Sequence, residues 1–214
     1  MGLKQTALLA MIGLCYIFLS RIIGSLFPAV FGNLLLARCS GVFSFLASTA
    51  VLVFFVSFLK DYVSHEQGLL RTASVLIIVG LSFVVVVHLK QILPLFDAHT
   101  FTFAAGSHNF DVVVLWLSSV FMVFFFFVFY RQTNIRQLEK LKRAALIASL
   151  GSLLLALSRT YIAWRFFTTR EVVWFSDVSA GAVIILIPIS AIGFMSVLYF
   201  FVSFYQEDFP RALK

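Results

Sequence analysis

Six stretches of this chain each run for roughly eighteen or more residues with few charges among them, and that limits what it can become. They lie at about Thr6–Phe27, Gly41–Leu59, Thr72–Leu93, Val112–Phe129, Ala144–Trp164 and Ala180–Phe204. A helix of that length crosses a bilayer core of about 30 Å. Spanning strands would need about ten alternating residues each, and no such alternation is visible. Only 12% of the residues are charged against 62% hydrophobic, which leaves too little polar surface for a soluble domain. The chain is expected to be all-α, a polytopic membrane protein of six transmembrane helices in one domain covering residues 1–214.

The first run outlasts a signal sequence and is followed by no small-x-small cleavage site, so it reads as a span. Between the first two runs, PAVFGNLLLA (Pro28 to Ala37) carries Pro, Gly and Asn and reads as an interfacial loop. Cys15 and Cys39 fall at different depths and read as packing residues, not as a disulfide.

The segment from Arg131 to Arg143 carries five basic residues against one Glu. Short loops with such an excess stay on the cytoplasmic side, which puts both termini there in a six-span chain. Ten basic residues then lie inward and six outward. No nucleic-acid motif accompanies the net charge of +7. Part of the same segment, Ile135 to Ala145, is basic and amphipathic, and is expected to run along the inner surface as a short helix before the fifth span.

Two octets at opposite ends of the chain differ at one position: VLVFFVSF (Val51 to Phe58) and VLYFFVSF (Val197 to Phe204). The spans preceding them also match. Lys4–Arg21 and Lys142–Arg159 agree without a gap at eight of eighteen positions. A third copy fits less closely. An offset of 67 lays Arg71, Gly80 and His88 over Lys4, Gly13 and Arg21, while FFVFY (Phe126 to Tyr130) partly matches the FFVSF ends. The chain therefore reads as helical hairpins at about 4–63, 69–131 and 140–206, with 131–143 as a basic cytoplasmic loop. Parallel repeats of this kind often share a binding site at their interface. In each odd span a basic residue near the inner boundary is followed 17 residues later by Arg21, His88 or Arg159. That separation is roughly 25 Å of helix, so all three groups reach one depth near the outer edge of the hydrocarbon.

Ala144, Ala148, Ser152 and Ala156 recur at spacing four on the fifth span, a small-residue face that meets protein and turns Arg159 inward. Gly80, Val84 and His88 share one face of the third span. The fourth span has almost no small residues beyond Ser118 and Ser119, and is expected at the periphery, against lipid or a partner.

Arg21, His88 and Arg159 are the candidate ligand site, since cationic groups at membrane depth hold anions by charge-assisted hydrogen bonds. The competing reading pairs them structurally with Asp97, Asp111 or Asp177. Lys90 and Arg165, beside span boundaries, read as snorkelling. The outer loop offers Asp97, His99, His108 and Asp111, metal-ligand types at spacings that match no zinc or copper signature. Haem needs facing histidines, and only His88 lies within a span. Phosphate loops, hydrolytic triads and HExxH are absent. No cofactor and no catalytic set are expected. The leading expectation is a non-enzymatic protein that binds or transports a small anionic solute from the outer side. The alternative is an accessory or scaffold subunit of a larger membrane complex, and a third class is a membrane redox or lipid-modifying enzyme. Its expected partners are membrane lipids, with other membrane subunits or a second copy of the chain.

Overall fold

The computed structural model describes residues 2–26, 34–63, 67–92, 108–132, 139–169 and 180–207. Among them are six helices and no strand. They are α1 (Leu3–Leu26), α2 (Leu34–Asp61), α3 (Gly68–Ile92), α4 (His108–Gln132), α5 (Glu139–Thr169) and α6 (Ala180–Gln206). All six contain a segment long and apolar enough to cross a membrane. Helices are the natural form here, because the hydrocarbon offers backbone N–H and C=O groups no other partner. Several buried hydroxyls are satisfied within the same helices. Ser48 donates to the Ser44 carbonyl, Ser74 to Leu70 and Ser119 to Leu115, each at 2.8–2.9 Å.

Two boundaries differ from the sequence reading. Helix α2 begins at Leu34, inside the segment expected to be loop, because Leu34–Ala37 are strong helix formers with no Pro or Gly among them. Residues 28–33 lie outside the described residues. Helix α5 is one unbroken helix of 31 residues. Its first two turns include Glu139–Ala145, so that part of the basic segment extends the span and is no separate surface helix. Glu139 suits the positive end of the helix dipole and pairs with Arg143 one turn on, at 2.5 Å. Cys39 is exposed, not packed.

Each helix packs against its neighbours in the chain, and α6 packs against α1, so the six close into a ring in chain order. One half of the ring, towards the end that carries Gly2 and Glu207, is filled by phenylalanine. Phe54, Phe55 and Phe58 of α2, Phe125, Phe126 and Phe129 of α4, and Phe200, Phe201 and Phe204 of α6 are all fully buried. Their contacts run in a cycle. Phe55 meets Phe125 at 4.9 Å, Phe126 meets Phe200 at 4.9 Å, and Phe201 meets Phe54 at 4.7 Å, each edge to face. Such pairs contribute about 0.5–1.5 kcal/mol beyond simple burial. The odd helices make room with small side chains: Ala7 and Ala10 on α1, Ala73 on α3, and Ala144, Ala145 and Ala148 on α5, all fully buried.

This arrangement corrects the expectation for the fourth span. Helix α4 lies in the ring between α3 and α5, and its Phe125, Phe126 and Phe129 are core. Large rings are buried here because the neighbouring helices are small where they face them. The buried phenylalanines of α4 begin at Phe125, one residue before the FFVFY stretch.

A glycine lies at a close approach between α1 and α2, between α3 and α4, and between α5 and α6. A methyl group on Gly13 would lie 2.7 Å from the Ala47 carbonyl oxygen, and one on Gly80 would lie 3.3 Å from Cα of Ser118. On Gly151 it would lie 3.1 Å from the Gly193 carbonyl oxygen. Without side chains at these points the backbones come together, and dispersion between helices supplies what the hydrophobic effect does not supply inside lipid.

Tyr62, just past α2, caps the aromatic half by stacking on Phe58 at 4.7 Å. Desolvation by burial pushes its phenol pKa from 10.0 up to about 12. Below pH 10 folded and unfolded chains both hold this proton. Between about 10 and 12 the unfolded chain ionises first, so stability falls as pH rises through that window. Phenolate absorbance in an alkaline titration should show one tyrosine titrating late in the folded protein, and Tyr62→Phe should remove that late step.

Candidate functional site

The other half of the ring contains a cavity. Side chains from all six helices surround a partly enclosed cavity of about 60 Å³. Its floor is formed by Val51 of α2, Met122 of α4 and Val197 of α6, about one turn beyond Phe54, Phe125 and Phe200. The aromatic half therefore lies between the cavity and the end of the bundle that carries Gly2 and Glu207.

His88 of α3 and Arg159 of α5 both line this cavity, as do Ser48 and Ser118. Nδ1 of His88 is 2.7 Å from Oγ of Ser48. The Ser48 hydroxyl donates its proton to the Ser44 carbonyl, so the arrangement is satisfied when Nδ1–H of His88 donates to Ser48. Arg159 is held in a similar way one hairpin later. Its Nη1 donates to Oγ of Ser119 and to the Leu115 carbonyl, and Ser119 in turn donates to that same carbonyl. Oγ of Ser118 lies 3.4 Å from the same Nη1. In both cases a cationic or titratable side chain from an odd helix rests on a serine of the preceding even helix. Trp116 Nε1–H donates to Oγ of Thr160 at 2.8 Å and adds a second tie between α4 and α5.

Of the three residues expected to form the site, the structure therefore brings two to one cavity. Arg21 lies on α1 at the corresponding register, but its side chain lies outside the described residues. The serines were missed by the sequence reading. The available signal was positional: Ser48 and Ser119 each stand the same distance ahead of a phenylalanine pair, at Phe54 and Phe125.

Lys90 does not snorkel. Its Nζ forms a 2.9 Å ion pair with Asp111, with side chains 13% and 19% exposed, and it joins the last turn of α3 to the first turn of α4. Both charges suit the helix ends they occupy. This engages one of the weak metal-ligand candidates. Asp97, His99 and the side chain of His108 lie outside the described residues, as do Asp177 and the side chain of Arg165. Among the described residues no group of three or more His, Cys, Asp or Glu could hold a metal ion.

The chemistry available in the cavity follows from its lining. Arg159 carries a permanent charge, and His88 can donate from a ring nitrogen or take up a proton. Among the described residues that line it there is no carboxylate. A positive group in a site of low dielectric attracts anions more strongly than it would in water.

Six apolar spans closed into a ring define an integral, multi-pass helical membrane protein. No family model, curated protein or solved structure matches the chain.

Proposed function

We propose that the protein binds a small anionic solute in the central cavity and admits it from the side opposite Gly2 and Glu207. The observation that carries this reading is the convergence of His88 and Arg159, from different helices, on one cavity walled by all six. The aromatic half of the ring supports entry from the opposite side. With the basic residues near the terminal end, among them Lys60, Arg71, Arg131 and Arg143, that side would be the outer one. Transport would require the phenylalanine half to open.

The chain is also read as three copies of one hairpin. Three close approaches support this, at Gly13, Gly80 and Gly151, together with the cyclic Phe–Phe contacts and the paired Ser48–His88 and Ser119–Arg159 contacts. Lipid, a second copy or a partner subunit would meet outward-facing side chains such as Ile12, Phe83 and Leu150.

The test is a titration of the purified protein in mild detergent with sodium acetate, propionate, nitrate and chloride, read by calorimetry. At least one should bind. Arg159→Gln should weaken that binding about tenfold or more, as expected for loss of a charge-assisted contact, while the helical content stays unchanged. Wild-type protein that binds none of the four would overturn the proposal.

A further inference from the structure

His88 and Arg159 share one cavity but differ in the kind of charge they bring to it. The guanidinium is always charged, whereas an imidazole gains or loses a proton near neutral pH. Ser48 decides which nitrogen of the neutral ring carries the proton. Its own hydroxyl proton goes to the Ser44 carbonyl at 2.8 Å, so Nδ1–H of His88, 2.7 Å from Oγ, is the donor between the two side chains. Nε2 of the neutral ring then holds a lone pair, which can accept a hydrogen bond but cannot donate one. A small anion offers acceptors. It meets a donor at Nε2 only when His88 carries a second proton there, and a charged donor makes the stronger bond.

Arg159 works in the same direction. With the cavity empty, a second cation there would face the guanidinium across a medium of low dielectric, and an anion in the same cavity offsets that repulsion. Proton and anion therefore favour each other's binding, and by the same factor. We infer that the site takes up a proton with its anion, the anion against Arg159 and the proton on Nε2 of His88. The inference rests on the anion-binding reading above and adds the ion bound alongside. A monovalent anion moved together with one proton carries no net charge, so a membrane potential would neither drive nor oppose its passage.

Helix α3 packs against α2 and α4. The charged side chains described on α2 are Lys60 and Asp61, at the end that carries Gly2, where Tyr62 also lies, and Cys39 is exposed. On α4, Tyr130 and Arg131 are at that same end, and Asp111 is held by Lys90 at 2.9 Å. Arg21 and Arg38, whose side chains lie outside the described residues, have no proton that titrates near neutral pH. His108, at the start of α4, is a second histidine at this end of the bundle. Its side chain is also outside the described residues, so it is tested directly.

The experiment titrates the purified protein with the same four sodium salts at about pH 6, 7 and 8, the range in which histidine changes charge. Each titration is run in two buffers of different ionisation enthalpy, since the buffer supplies any proton taken up. All four anions stay ionised over this range, so that proton goes to the protein. At about pH 8 the wild type should take up about one proton per anion bound, and its affinity should fall as pH rises, by up to about tenfold per unit. His88→Gln keeps an N–H donor that never titrates, so its binding should depend on neither pH nor buffer. Ser48→Ala frees the neutral ring to carry its proton on Nε2. It should lessen the uptake, and it serves if His88→Gln does not fold. His108→Gln should behave as the wild type does. Wild-type binding with no proton uptake and one affinity at every pH would overturn the inference and leave the anion site standing. Uptake that is undiminished in the His88 and Ser48 variants, or lost in His108→Gln, would overturn it as well. No binding by any of the four anions would remove the site itself and this inference with it.

Discussion

Replacing Phe54, Phe125 or Phe200 by alanine should lower the free energy of unfolding by about 3 kcal/mol or more in each case, and by similar amounts in all three. Every one of these rings is fully buried, and each makes an edge-to-face contact with the next even helix at 4.7–4.9 Å. In lipid the usual transfer gain on burial is small, so the loss comes mainly from dispersion forfeited around the void and from the ring pairs. Because the contacts form a cycle, no one ring can move to fill the gap without leaving another. Phe127→Ala is the internal control, since Phe127 is 46% exposed on the same helix as Phe125. That change should stay within about 0.5 kcal/mol. Reversible unfolding in mixed micelles, followed by circular dichroism, measures all four. A single costly ring among the three, or an equal cost at Phe127, would contradict the cyclic core.

The second large effect is expected at Lys90 and Asp111. Lys90→Met should strand the Asp111 carboxylate with its side chain only 19% exposed, and Asp111→Asn should take the ion pair from an ammonium that is 13% exposed. Breaking a fully buried pair costs about 3–5 kcal/mol, whereas an exposed pair is worth about 0–1. These groups are partly exposed, so about 2 kcal/mol for either single change is the reasonable middle. The double variant Lys90→Met with Asp111→Leu should recover part of the loss caused by Lys90→Met, because no Asp111 carboxylate is then left facing an apolar side chain. A double-mutant cycle reads this directly as coupling. Singly neutral, additive changes would mean that Lys90 reaches the headgroups after all, as its position near a span boundary suggested.

The six spans were legible because length and the absence of charge are sufficient signals in a bilayer. The small-residue stripe on α5 was legible for a similar reason: Ala144, Ala148, Ser152 and Ala156 recur at helical spacing, and all are buried. His88 and Arg159 could be found because ionisable groups are rare inside spans. The environment of α4 was not legible. A phenylalanine-rich face looks the same from sequence whether it meets lipid or the alanines of neighbouring helices. Nor was it legible which of its phenylalanines are buried, because five consecutive aromatic or aliphatic letters, FFFFV, offer no internal mark. The serines of the site were hidden too, since Ser48 and Ser119 resemble any hydroxyl that bonds back to its own helix. Only the fold reveals that they also support His88 and Arg159. Lys90 was misread because a snorkelling lysine and a paired one differ only in what lies across the next loop.

The closed order of helices has a topological consequence. Each helix already adjoins its sequence neighbours, α6 adjoins α1, and six crossings return the chain to the membrane face from which it set out. Such a circle has no privileged starting point. A circularly permuted chain, with a linker joining the present ends and a new opening cut between α2 and α3, would meet the same neighbours at every seam.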